Sequence, residues 1–271
     1  MAGAQVYSKK VINRSGYILE LPDVPDIDSL KIGDLSVYGP YVESSIARFA
    51  TGAILRKGRD AWHYCKAGAT GLSIAAPIQS AARVHAEQDD DIVVGAAAAI
   101  GAYTVELTST ANLDNDPNDD TNDFAGGYLI VNDEAGEGQM YRIKSNEGFS
   151  GTDDATFTLY DALTIALTTS SQVGLVRAPG HKVVVAGAPL TGAFMGIPLI
   201  AVTATYYFWS KIKGYAPMVA QEAIALGDMV VVGGTSGKAN VYDAATTTEV
   251  VVGVAVTPGV ADTESFIVDL I

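Results

Sequence analysis

The sequence predicts an all-β protein: a β-sandwich or barrel body, an extended N-terminal arm and a small C-terminal unit like a β-barrel. From Ala53 onward, short runs rich in Val, Ile, Thr and Tyr alternate with Gly, Asn, Asp and Ser, which is typical of strands and turns. Segments with helical periodicity are scarce. A hydrophobic share of 48% over 271 residues is enough to bury a core and excludes global disorder.

Many short strand candidates follow one another, as in sandwiches and barrels. The clearest is a hairpin over Met229–Val241, whose glycines supply the positive φ that a tight turn requires. Helix is expected only at Val42–Phe49, Ala86–Gln88 or Ala96–Ile100. The strand candidates are Ala53–Leu55, Ala61–Tyr64, Tyr103–Leu107, Tyr128–Asn132, Gln139–Ile143, Thr156–Leu159, Gln172–Val176, Lys182–Val185, Ala201–Ile212, Met229–Val232, Ala239–Val241, Val250–Val256 and Ser265–Leu270.

Changes in composition and in the pattern of strand and turn residues predict three parts: residues 1–60, 61–214 and 215–271. The first is predicted to be an extended arm, because its prolines remove backbone donors and restrict the residues before them. A loop packed on its own domain is the alternative. The second is a central β-domain. The third, beyond a predicted hinge at Gly214–Gln221, would be only marginally stable alone and should pack on the central domain or on a neighbouring subunit.

Charge is distributed unevenly along the chain, whose formal net charge is −14. Residues up to Arg83 carry 10 basic and 7 acidic side chains, a net of +3, whereas the remainder carries 7 and 24, a net of −17. We expect the first part to dock on a partner and the second to face solvent, unless the first part simply lacks acidic loops. So acidic a chain is not expected to bind nucleic acid.

Targeting and membrane segments are not expected. The residues Met1–Lys10 have no apolar core of the kind that a secretory signal needs. The uncharged run Val183–Ser210 is long enough to span a bilayer, but its prolines and glycines would break a helix. A single cysteine excludes an intrachain disulfide.

Three segments have features of chemical sites, and for each a structural interpretation competes. His63 and Cys65 would share one face of a strand, where they could pair as base and nucleophile or share a metal; alternatively, Cys65 is a buried small apolar residue. The Asp-rich segment Asp114–Asp123 fails the EF-hand pattern, which leaves a looser Ca²⁺ site or a solvated loop. Gly233–Lys238 fails the phosphate-loop pattern and reads as a hairpin turn. We therefore predict no enzyme activity, no cofactor and no metal site.

Three parts of the chain resemble virion structural proteins of tailed bacteriophages, especially capsid decoration (head-stabilising or cement) proteins. The stretch from Tyr38–Phe49 to Arg59–Gly68 resembles the early region of phage head proteins. Phe124–Lys144 is similar to β-modules of the same class. The stretch Ile224–Gly234, together with Val252–Val256, resembles the small β-barrel shared by phage capsid fibre and decoration proteins.

The resemblance implies a structural protein on the outer capsid surface, contacting the major capsid protein and copies of itself, with a homotrimer favoured. A tail or fibre-associated adhesion or receptor-binding component is the alternative. A compact basic cluster after the first strand would suit an acidic patch on a protein partner, although it could also be a solvated turn. The residues expected to contact the capsid or another partner are Val24, Ile27, Leu30, Arg48, Arg56, Lys57 and Arg59.

Overall fold

The computed structural model describes residues 10–14, 17–21, 39–110, 121–148, 154–246, 249–261 and 264–271. Within these ranges the regular structure is β-strand apart from one helix of four residues, so the predicted all-β class is confirmed. No helix in the described ranges is long and apolar enough to cross a membrane. The elements are β1 Lys10–Arg14, β2 Tyr17–Leu21, β3 Ile54–Lys57, β4 Asp60–Lys66, β5 Ile78–Gln79, α1 Glu87–Asp90, β6 Ile92–Ala96, β7 Thr104–Thr108, β8 Tyr128–Asp133, β9 Met140–Asn146, β10 Asp154–Leu159, β11 Gln172–Val176, β12 Val184–Val185, β13 Phe194–Pro198, β14 Tyr207–Val219, β15 Met229–Val232, β16 Ala239–Val241, β17 Val251–Ala255 and β18 Ser265–Leu270.

The chain folds into two compact units, at boundaries that differ from the predicted ones. A discontinuous unit comprises Met1–Ala81 and Pro179–Ile271, and a barrel unit comprises Ala82–Ala178. The barrel unit is thus an insertion in the sequence of the other. The strands on either side of it, β5 and β12, pair with each other in the discontinuous unit.

The barrel unit is a closed antiparallel barrel of six strands in the order β10-β7-β6-β11-β8-β9, closed by the pairing of β9 with β10. Alternate residues of its strands point inward, as Ala155, Phe157 and Leu159 do in β10. The register shifts at irregular positions between neighbouring strands, for example at Gly95 in β6, which is how small barrels bend. Its interior is packed with apolar side chains from all six strands, so that the barrel has a solid core.

The discontinuous unit is built on one large sheet with the order β1-β2-β3-β4-β14-β18-β17-β15-β16. The long strand β14 connects its two halves: residues up to Lys213 pair with β4, and residues from Gly214 pair with β18. The change of partner coincides with a register shift and with a φ of +88° at Gly214. The last five strands then curl until Ala239 in β16 bridges to Ala220, just beyond the end of β14.

Two predictions about organisation need correction. The predicted boundary between residues 214 and 215 falls inside β14, because the chain bends there within a continuous strand that stays paired on both sides of the bend. The described residues of the predicted arm 1–60 include β1 and β2, which extend the main sheet by pairing with β3. The predicted strands of the C-terminal part all form, and the hairpin over Met229–Val241 is confirmed by the pairing of β15 with β16.

Candidate interaction surface

The strand β4 carries both residues that the sequence marked as candidate chemistry, His63 and Cys65. Trp62 and Tyr64 project into one buried aromatic cluster with Phe49 and Trp209, whereas Cys65 belongs to a different core cluster on the other side. Burial raises the pKa of the Cys65 thiol, so that it is protonated at neutral pH, and its Sγ donates to the carbonyl oxygen of His63 at 3.5 Å. Cys65 is therefore a small apolar core residue in this fold.

His63 lies on the same strand face as Cys65 but faces the backbone of another segment. Desolvation lowers the pKa of His63, and a hydrogen bond with the Gly52 backbone partly opposes that shift. Its ring is thus positioned by the main chain and not by a carboxylate. Among the described residues, no group of three or more His, Cys, Asp or Glu side chains is arranged to hold a metal ion.

The Asp-rich segment Asp114–Asp123 lies mostly outside the described residues, but its last aspartate does not face solvent as expected. Asp123 is 4% exposed and accepts a hydrogen bond from Nε of Arg177 at 2.8 Å. The Arg177 guanidinium also lies over the Phe124 ring, 4.9 Å from its centroid. This carboxylate therefore serves as the partner of a buried cation within the barrel unit.

The residues predicted to contact a partner differ in where they lie. Val24, Ile27 and Leu30 lie outside the described residues. Arg48 is half-buried, and its Nε donates to Ser44 Oγ at 3.2 Å, so it helps to hold the loop in which it lies. Arg56, Lys57 and Arg59 are exposed around the β3–β4 hairpin, which fits both a docking cluster and a solvated turn.

The β3–β4 hairpin turns through Gly58 and Arg59, and a φ of +58° at Gly58 allows so short a connection. The turn brings Arg59 to the C-terminal half of the sheet. There its guanidinium forms an ion pair with Asp269 in β18 and lies 5.2 Å from the ring centroid of Tyr215 in β14. One member of the predicted basic cluster is thus part of a polar and aromatic group made by this turn and two strands that are distant from it in sequence.

A second ion pair supports the same hairpin. Nζ of Lys211 in β14 lies 3.0 Å from Oδ1 of Asp60 and 5.1 Å from the centroid of the Trp62 ring. The Lys211 side chain is largely buried and Asp60 is part-exposed. Because both pairs join the hairpin to β14 or β18, the position of Arg59 beside Tyr215 is fixed by the fold.

Next to Arg59, the curled sheet has an exposed apolar surface, which we call the outer face. The register aligns Tyr215, Asp269, Val254 and Met229 in one row across β14, β18, β17 and β15. Ile267 lies in the adjacent row, paired with Pro217. The exposed fractions are 53% for Tyr215, 49% for Met229, 40% for Ile267 and 37% for Val254.

Such a surface is unusual for an antiparallel sheet that has one side in the core, where the solvent side normally carries polar residues. The inward residues of β14 and β18, such as Ala216, Met218 and Val268, form the core of this half of the unit. The outward side of these strands is therefore also largely apolar, with Asp269 between Tyr215 and Val254. The outer face is not among the features predicted from the sequence, although the apolar residues at successive positions of Phe266–Val268 are its local signal.

Net charge also divides between the two units. The barrel unit contains 4 basic and 17 acidic residues, a net of −13, and the discontinuous unit contains 13 and 14, a net of −1. The acidic character of the chain thus belongs to the inserted barrel. The outer face lies in the unit that is almost neutral.

In comparisons with known proteins, no family model matches the chain, and no curated protein and no solved structure is similar to it.

Proposed function

We propose that the chain is a virion structural protein of a tailed bacteriophage, which binds the outer surface of the capsid and stabilises it by contacting the major capsid protein. The outer face carries this proposal, since contiguous apolar residues on a protein surface mark sites of association with other proteins. The resemblance of three stretches to capsid decoration proteins supplies the identity of the partner.

The construction of the outer face favours a stable protein contact. Its residues lie on paired strands, so little conformational entropy is lost when a partner covers them. Tyr215 is an aromatic anchor of the kind that dominates binding energy at interfaces, and its ring is held in place by the Arg59 guanidinium. A partner that covers this row and the adjacent one would remove apolar area from water at roughly 25 cal/mol per Å².

The test is cosedimentation of the full-length chain with empty shells assembled from the major capsid protein of the phage that encodes it. We expect saturable binding at a fixed ratio to the shell protein. A chain that stays in the supernatant at every concentration would contradict the proposal and favour a tail or receptor-binding component.

A matched pair of substitutions locates the contact. Met229→Asp places a charge on the outer face and should weaken shell binding about tenfold or more, because a buried charge without a counter-charge is costly at an interface. Met140→Asp makes the same change on the barrel unit, at a methionine that is 62% exposed, and should leave binding unchanged. Equal binding by both variants would exclude the outer face as the contact.

A further inference from the structure

We propose that the partner surface covered by the outer face is acidic, and that a basic border beside this face steers the association. The border consists of Arg56, Arg59 and Lys213. This inference rests on the proposed function, and it adds the chemical character of the surface to which the chain binds.

The register of three strands assembles the border. Arg56 in β3 pairs with Ala61 in β4, and Ala61 pairs with Lys213 in β14. Directly paired residues of antiparallel strands project to the same side of a sheet, so Arg56 and Lys213 flank the small, buried Ala61 on one side. Arg59 extends the border to the outer face, where it contacts Tyr215.

The charge balance around the border is positive, although the chain as a whole is strongly negative. The segments 56–61, 211–215 and 267–269 contain five basic and two acidic residues, a net of +3. Asp60 pairs with Lys211, and Asp269 pairs with Arg59. The complement of an apolar face with such a border is an apolar surface that carries carboxylates.

An acidic partner would repel the barrel unit, which carries a net charge of −13. Among the described residues, the border is then a part of the chain that attracts such a partner, and its effect should appear in the rate of association. Charges at the rim of an interface change the association rate and its dependence on salt more than they change the final contacts. A protein partner is favoured over a polyanion because the adjoining face is apolar, and over an anionic membrane because the border has fewer basic residues than the clusters that bind anionic lipids.

The experiment measures association rates of the full-length chain with empty shells at 50, 150 and 500 mM NaCl. The border variant Arg56→Gln/Lys213→Gln leaves the pair of Arg59 with Asp269 intact. Its control, Arg83→Gln/Lys144→Gln, removes the same number of positive charges from exposed sites of the barrel unit. Both variants have a net charge of −16, two units below the −14 of the natural chain.

We expect the border variant to associate about tenfold more slowly than the natural chain at 50 mM NaCl and less than about twofold more slowly at 500 mM, where charges are screened within ~5 Å. The control variant should stay within about twofold of the natural chain at each salt concentration. Equal rates for the border and control variants would overturn the inference, as would saturable binding of the natural chain to anionic phosphatidylserine vesicles. Failure of the proposed function is distinct, since the natural chain would then not bind shells at any salt concentration.

Discussion

Replacing Arg177 by methionine tests how much the buried ion pair contributes to the stability of the barrel unit. The side chains of Arg177 and Asp123 are 8% and 3% exposed, and their Nε and Oδ2 atoms are 2.8 Å apart. Removing one member of a buried pair leaves the other charge poorly compensated and costs about 3–5 kcal/mol. The substitution also removes the stacking of the guanidinium on Phe124.

The free energy of unfolding should therefore fall by about 3–5 kcal/mol in the Arg177→Met variant. Both tryptophans, Trp62 and Trp209, belong to the discontinuous unit, so their fluorescence does not report on the barrel directly. Hydrogen exchange of peptides from the barrel unit is the suitable assay. A second substitution, Asp123→Asn in the Arg177→Met background, should recover part of the loss because it removes the remaining buried charge.

The control is Lys144→Met, which deletes an exposed cation from the same barrel and should change stability by less than about 0.5 kcal/mol. If Arg177→Met cost no more than this control, the pair would behave like a solvated surface salt bridge. The argument from burial would then be refuted.

Two further predictions concern the discontinuous unit. Gly214→Ala should destabilise this unit by more than Gly227→Ala does, as measured by urea unfolding followed by tryptophan fluorescence. Both glycines have a φ of +88°, but an added Cβ would overlap Oδ1 of Asp60 only at Gly214. Equal losses would show that the approach of Asp60 has no energetic effect. The pKa of His63 in the folded state lies below its ordinary value of about 6.5. As pH falls, the unfolded state therefore binds a proton at this residue before the folded state does. The free energy of unfolding should decrease as pH falls below about 6.5. The His63→Gln variant should lack this decrease in the free energy of unfolding between pH 7.5 and 5.5. If its free energy of unfolding depended on pH as that of the natural chain does, the assignment would be contradicted.

Local signals in the sequence predicted the elements whose pairing is also local. The hairpin of β15 and β16 was found because its two apolar runs are joined by a glycine-rich turn. The hairpin of β1 and β2 was missed, although Ser15-Gly16 between two runs that contain Ile and Leu is a turn signal of the same kind. The prolines that follow drew the interpretation toward an extended arm.

The barrel could not be predicted in this way, because its closure depends on pairs that are distant along the chain. β6 pairs with β11, and β10 pairs with β7, across long intervening segments. The alternation of apolar residues along a strand predicts which side chains share one face, but it does not predict which other strands pair with that strand. The domain boundaries were therefore placed by composition, and composition does not change where β14 exchanges one partner for another.

The candidate interaction surface shows the same division between local and distant information. Arg56, Lys57 and Arg59 could be recognised as an exposed basic cluster, since their spacing in one short turn is visible in the sequence. That Arg59 lies over Tyr215 and pairs with Asp269 depends on three strands from opposite ends of the chain.

Composition and side-chain periodicity were sufficient to establish an all-β chain, its acidic character and the β15–β16 hairpin, because these properties depend on neighbouring residues. The tertiary structure established that the inserted barrel carries almost all of the net charge and that the outer face lies in the almost neutral unit. The order of the strands in the two sheets determines both the barrel and the outer face, and this order results from contacts between residues that are far apart in sequence.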